Sequence, residues 1–322
     1  KYNADSNGGN ISFKVDRSSI RQGNAVIAIK DVSDAILGSW HVWVTDEDIN
    51  NVIEITNHQN VKYNFMPVNL GQCDGNTITY EERSCKVKFI AGDQSKEITI
   101  KQLANVIATG SNAPFYQWGR KDPLYPSNGM GNTTKIWYDK EGIPSTANPM
   151  KGTFSAGNDC IKNCILNPNL MHNRYNGDYT YYNLWSADNK TTSANDNPVN
   201  KTIYDPCPVG FKLPASNAFT GFTTTGESVS SSTQVNGTWS SSEKGWYFYT
   251  NSEKTQSIFF PALGYRSYST MRPGSIGTQG CFWSAHPVAK GNNYYLRTSS
   301  VDVQPTYMVD RGFGYALRPC QD

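Results

Sequence analysis

Apolar and polar residues alternate with a period of two in several short runs, each bounded by Gly, Asp, Asn or Ser. ISFKV (11–15), NAVIAIK (24–30), WHVWV (40–44), CKVKFI (85–90) and KEITIKQ (96–102) therefore read as strands. CKVKFI and KEITIKQ, separated by AGDQS, form a hairpin whose loop is expected to exceed two residues. Alternation returns in GWYFYT, IFFPALGY, CFWSA, NNYYLRTS and GFGYALRP toward the C-terminus. Between 127 and 206 it fades into Asn, Gly, Asp and Pro, so a long loop tract is expected there, with one short helix near Cys160 to Leu166. Residues 221–243, rich in Ser, Thr and Gly, read as a flexible or edge-strand excursion. The pattern implies an α+β, strand-rich and loop-rich domain without a solenoid or propeller repeat.

Composition narrows the setting. In 322 residues, charged side chains make up 17%, below the roughly 25% of a typical soluble domain. Aromatics reach 12%, and this polar but weakly charged mixture fits a protein outside the cell. The net charge of +2 spreads 29 Lys and Arg among 27 acids, so no basic face is expected for nucleic acid. No apolar run approaches the roughly 18 residues a membrane-spanning helix needs. Lys1 is not followed by a charged, apolar and small-residue leader, so the start is expected to be either a processed terminus or a boundary set by how the sequence was delimited.

The seven cysteines include no CxxC pair, which leaves disulfides or buried thiols. Cys207 with Cys320 is the first pairing to consider, a closure for which the chain-entropy model gives about 4 to 5 kcal/mol. Cys73 with Cys85 and Cys160 with Cys164 remain open. Cys281, in GCFWS, reads as a small buried hydrophobe.

Catalytic and metal motifs are sparse. No GxSxG elbow occurs, and His41, His58, His172 and His286 stand in unrelated contexts. Cys160, Cys164 and His172 are spaced C-x3-C-x7-H without a clear fourth ligand. GMGNTT lacks the Gly-Lys pair of a phosphate loop. Asn195 to Pro198 supplies oxygen donors that any acidic turn would also supply. The expectation is a non-enzymatic chain with no cofactor and no metal.

Eight short blocks carry a resemblance through their order: NAVIAIKD, SWHVWVTD, MPVNLG, FYQWGRKDP, IYDPCPVGFKLP, FFPALGYRS, GCFWSAHP and RGFGYALRPC. Together they resemble the major paralogous domain first noted in Fibrobacter, as it occurs in fimbrial (pilus) tip and related surface proteins of Bacteroidales. The resemblance implies one large domain over 1–322 with a C-type-lectin-like mixed sheet and about two helices. N-terminal strands would occupy 11–44, an inserted hairpin 73–106 and the loop tract 127–206. It departs from the family in ending ALRPC rather than in a VRC-type strand, and in lacking an acid-Trp start to the second helix after FKLP.

Within that resemblance FYQWGRKDP begins the first helix or the turn into it. Trp118 buries a ring, Gly119 permits close backbone approach, Arg120 ties carbonyls or a carboxylate, and Asp122 favours a turn before Pro123. With Cys207 and Cys320, these are the expected structural residues. The resemblance implies a cell-surface adhesin at or near a fimbrial tip, extracellular on the bacterial outer-membrane surface, recognising a glycan or a surface protein of host or bacterium. Aromatic platforms for a sugar would come from Trp137, Tyr138, Tyr181, Tyr182, Trp185, Trp246 and Tyr247, rings that would serve equally to pack long loops. The alternative is a structural pilus subunit whose strand edges engage other subunits, without a soluble ligand.

Overall fold

The computed structural model describes residues 2–5, 8–73, 77–108, 113–124, 137–138, 144–145, 160–171, 182–188, 192–288 and 291–322. It is α+β and strand-rich, with a seven-residue α-helix at Cys160–Leu166 and 3-10 turns at Arg17–Ser19, Ser216–Phe222 and Ser232–Gln234. FYQWGRKDP forms a two-residue strand, Tyr116–Gln117, and then a turn, not a helix start. The segment after FKLP folds as the 3-10 turn Ser216–Phe222 rather than as a second α-helix.

Four small antiparallel sheets build the body. Phe211–Lys212, Cys320–Gln321, Lys62–Phe65 and Ile53–Thr56 lie side by side in that order, which ties the C-terminal strand to the hairpin 53–65. Tyr116–Gln117, Gly314–Tyr315, Tyr265–Arg266 and Pro273–Gly274 form a second. Gly237–Ser240, Gly245–Tyr249 and Ser257–Pro261 form a third, and Gly280–Pro287, Asn292–Thr298 and Val303–Asp310 a fourth. Every residue of Gly280–Pro287 is buried although the strand lies at one edge of its sheet, with Asn292–Thr298 in the middle.

The core has two clusters. One is built on phenylalanines: Phe222 stacks on Phe248 at 3.9 Å, and Phe260 meets both edge-on. The other gathers Tyr116, Trp118, Trp185, Trp283 and Tyr315. Val229 and Val235 belong to the first cluster. The stretch 221–243 is therefore a packed segment ending in the edge strand Gly237–Ser240, because its isolated valines, diluted among Ser and Thr, still find the core.

Two strand expectations change. ISFKV is not a strand beyond Ile11, and Phe13 and Val15 are exposed. The hairpin turn is tight: Ala91 pairs with Gln94, and Gly92 takes the positive φ of 60° that two-residue turns demand. This hairpin extends further than the alternation indicates. Thr77–Tyr80 pairs with Asn105–Ala108 in the same register that runs from Arg83 opposite Gln102 to Ala91 opposite Gln94. From 81 to 104 only Val87 is better than exposed, so the hairpin stands out as a long arm.

The cysteines form no disulfide among the described residues. Cys207 and Cys320, the first expected pair, are both buried thiols, as is Cys281. Burial lifts the Cys281 and Cys320 thiols to about 12, which keeps them protonated and apolar in character.

The FYQWGRKDP turn shows how local chemistry fixes loops. Gly119 sits at φ 81°, and a Cβ there would meet Leu184 Cδ1 at 2.4 Å. Arg120 donates to the carbonyls of Pro168 at 3.0 Å and Leu170 and to Gln117 Oε1 at 3.0 Å. Asp122 accepts from Ser39 Oγ at 2.6 Å. Gly119→Ala should lower the unfolding free energy by about 2 kcal/mol or more, since it adds left-handed strain to a buried clash. Urea unfolding of the variant checks this, and an unchanged midpoint would contradict the assignment.

Candidate functional site

Trp246 and Tyr247 are neighbours on one strand, so the pleat must send them to opposite faces. Trp246 turns inward with 1% of its surface exposed and donates Nε1 to Ser299 O at 2.7 Å. Tyr247 turns outward. Pairing sets Thr238, Tyr247 and Phe259 in one row across three strands, with Tyr249 on the same face. The Tyr247 and Phe259 ring centroids lie 4.7 Å apart. Gly245 makes room for this, since a Cβ there would meet the Phe259 ring at 2.6 Å.

Polar groups frame the rings. Tyr247 donates its hydroxyl to Glu243 Oε1 at 2.8 Å, and Ser240 Oγ donates to Oε2 at 3.0 Å. The neutral phenol is favoured by that carboxylate, which raises its pKa. Tyr249 and Thr238 share a hydroxyl contact of 2.6 Å, and Lys254 Nζ lies 5.6 Å from the Tyr249 ring centre. The face thus offers half-buried aromatic rings beside an exposed carboxylate, an ammonium and hydroxyls. That combination suits the apolar faces and hydroxyl edges of a sugar, or a polar peptide.

The other expected platform rings are placed differently. Trp185 is wholly buried, 5.5 Å from Trp118, and donates Nε1 to Tyr204 O at 3.0 Å. Tyr182 is half-buried beneath the Arg311 guanidinium at 5.5 Å, and that cation also lies 4.1 Å from the Trp118 ring centre. Trp137–Tyr138 pairs with Pro144–Ser145; the side chains of Trp137 and Tyr138, and all of Tyr181, lie outside the described residues. Phe259, Tyr249 and Glu243 were not singled out by sequence. The alternation in GWYFYT carries the signal for Tyr249, but Phe259 needs the register between two strands, which spacing alone does not supply.

Titratable clusters elsewhere are turned to structural ends. The Asp196 carboxylate of the NDNP turn accepts from Asn57 Nδ2 at 2.6 Å, Tyr63 OH at 2.7 Å and Asn217 Nδ2 at 2.9 Å, a ring of neutral donors. Among the described residues no group of three or more His, Cys, Asp or Glu could hold a metal ion; His172 lies outside them. Ser216 Oγ sits 3.2 Å from His286 Nδ1, but both residues are fully buried, and Ser216 also bonds the Asn195 backbone. His41 lies between Asn24 Oδ1 at 2.8 Å and Tyr116 OH at 2.9 Å.

No protein-family model, curated protein or solved structure matches the chain. No helix among the described residues is long and apolar enough to cross a membrane.

Desolvation pulls both His41 and His286 down to about 4, from 6.5. Between those values the unfolded chain binds more protons than the folded one, so their contribution to stability is present above pH 6.5 and lost as pH falls toward 4. Urea midpoints measured across that window should fall with acidity, and His286→Gln should flatten the slope. A pH-independent midpoint would contradict the burial of these rings.

Proposed function

We propose that the chain is a non-enzymatic surface-recognition domain of the adhesin type, and that its binding face is the outer side of the sheet carrying Tyr247 and Phe259. The observation that carries the reading is this pair of outward rings, held by Gly245 and flanked by Glu243, Lys254 and the Thr238 hydroxyl. A ring beneath a sugar's apolar face with a carboxylate at its edge binds without a cation. The ordered sequence blocks, with their resemblance to fimbrial tip proteins of Bacteroidales, support an extracellular setting on the outer-membrane surface or a fimbria. They also support a C-type-lectin-like arrangement of the α+β fold and a glycan or surface protein as ligand. The exposed hairpin 83–102 favours, as a second reading, a pilus subunit that engages others through strand edges.

A glycan array probed with the purified chain, with calcium and with chelator, tests the first reading. Chelator-resistant binding that Tyr247→Ala or Phe259→Ala weakens at least about tenfold, or 1.4 kcal/mol, is the expected result. Binding lost on chelation would overturn the cation-free site. Silence under both conditions would shift the assignment to protein recognition or subunit assembly.

A further inference from the structure

An isolated two-stranded hairpin is marginally stable in water, and three or more strands with an apolar face are normally needed. The arm 83–102 is such a hairpin, exposed along nearly its whole length. Directly opposed residues share a face, so Cys85 and Ile100, Val87 and Ile98, and Phe89 form a side that is mainly apolar, with Lys96 opposite Phe89. The reverse side carries Lys86, Lys88, Glu97, Thr99 and Lys101, with Ile90 near the turn. Among the described residues no strand pairs with the outer edge of either strand.

The two edges differ in what they accept. Strand 83–91 laid antiparallel on its own copy about Val87 sets Lys86 against Lys88, a like-charge pair. Strand 94–102 laid on its copy about Thr99 sets Ile98 against Ile100 and Glu97 against Lys101, twice each by symmetry. Centring the pairing on Ile98 instead opposes Lys96 to Ile100, and centring it on Ile100 opposes Ile98 to Gln102. Of these three registers of strand 94–102, the one about Thr99 matches both chemistries. Lysines that blunt an edge against arbitrary strands here meet glutamates in one register of one partner.

We infer that the arm is a self-association element: strand Gln94–Gln102 pairs antiparallel about Thr99 with the same strand of a second copy of this chain, joining two hairpins into a four-stranded sheet. The pairing is isologous and closes on itself, as a two-fold dimer requires. Glu97 and Lys101 are already ordered in chain by Lys86 at 2.9 Å and Glu82 at 3.0 Å, so the dimer extends existing pairs into a charged ladder.

Sedimentation equilibrium of the full chain gives the first readout, with a concentration-dependent shift from monomer to dimer expected. Glu97→Lys and Lys101→Glu should each weaken the dimer at least about tenfold. Mixing the two variants, or combining them in one chain, should restore it, because each Lys then faces a Glu; this restoration also shows that the variants fold. Thr99→Cys in a Cys85→Ser background should cross-link copy to copy on oxidation. A monomer at all accessible concentrations would overturn the inference. So would a dimer indifferent to both charge reversals, or one in which residue 99 fails to cross-link.

Discussion

Arg318 holds the molecule's distant segments to one point. Its guanidinium is 1% exposed and stacks 4.4 Å from the Phe260 ring centre. Nε donates to Asn69 Oδ1 at 2.8 Å, one terminal nitrogen to the carbonyls of Met66 at 3.2 Å and Pro67 at 2.7 Å, and the other to Phe259 O at 2.7 Å. Desolvation pulls its pKa down to about 9, and it remains a cation at neutral pH. A loop-rich chain has many carbonyls that no sheet satisfies, and burying them costs free energy unless donors are supplied. A planar fork of five N–H groups supplies several at once. Arg120 does the same for the segment after the helix Cys160–Leu166, and Arg311 for Val288 and Asn292.

That device determines where the rings are free to act. With Arg318 fixed against Phe260 and Phe259 O, the strand Ser257–Pro261 has a set register. Its neighbour then alternates Trp246 and Phe248 inward with Tyr247 and Tyr249 outward. The buried half supplies the phenylalanine core, and the outward half is the face proposed for recognition. The proposed recognition face and the core share one strand, separated by the pleat.

Much of this was legible from the residues. Period-two runs mark the strands at 24–30, 40–44, 85–90 and 96–102, and the short helix Cys160–Leu166 stands where one is expected within the loop tract. Alternation failed for ISFKV because, among the described residues, no strand pairs with the run beyond Ile11, and Phe13 and Val15 are exposed. It understated 221–243 because Val229 and Val235 are packed by tertiary contacts that composition hides. Of the candidate rings, Tyr247 faces outward while Trp185 takes the packing role its sequence context equally allows, buried 5.5 Å from Trp118. Phe259 depends on cross-strand register, a non-local quantity. The cysteines illustrate the same limit, since separation along the chain does not say whether Cys207 and Cys320 are bridged or are separate buried thiols.

The fork of Arg318, and not merely its charge, joins these segments. Arg318→Lys keeps the cation and loses the planar stack and the simultaneous reach to four acceptors. Urea unfolding of this variant should show a loss of about 2 kcal/mol or more, because buried carbonyls are left without donors. A variant within about 0.5 kcal/mol of the parent, the range of an ordinary surface substitution, would contradict the account.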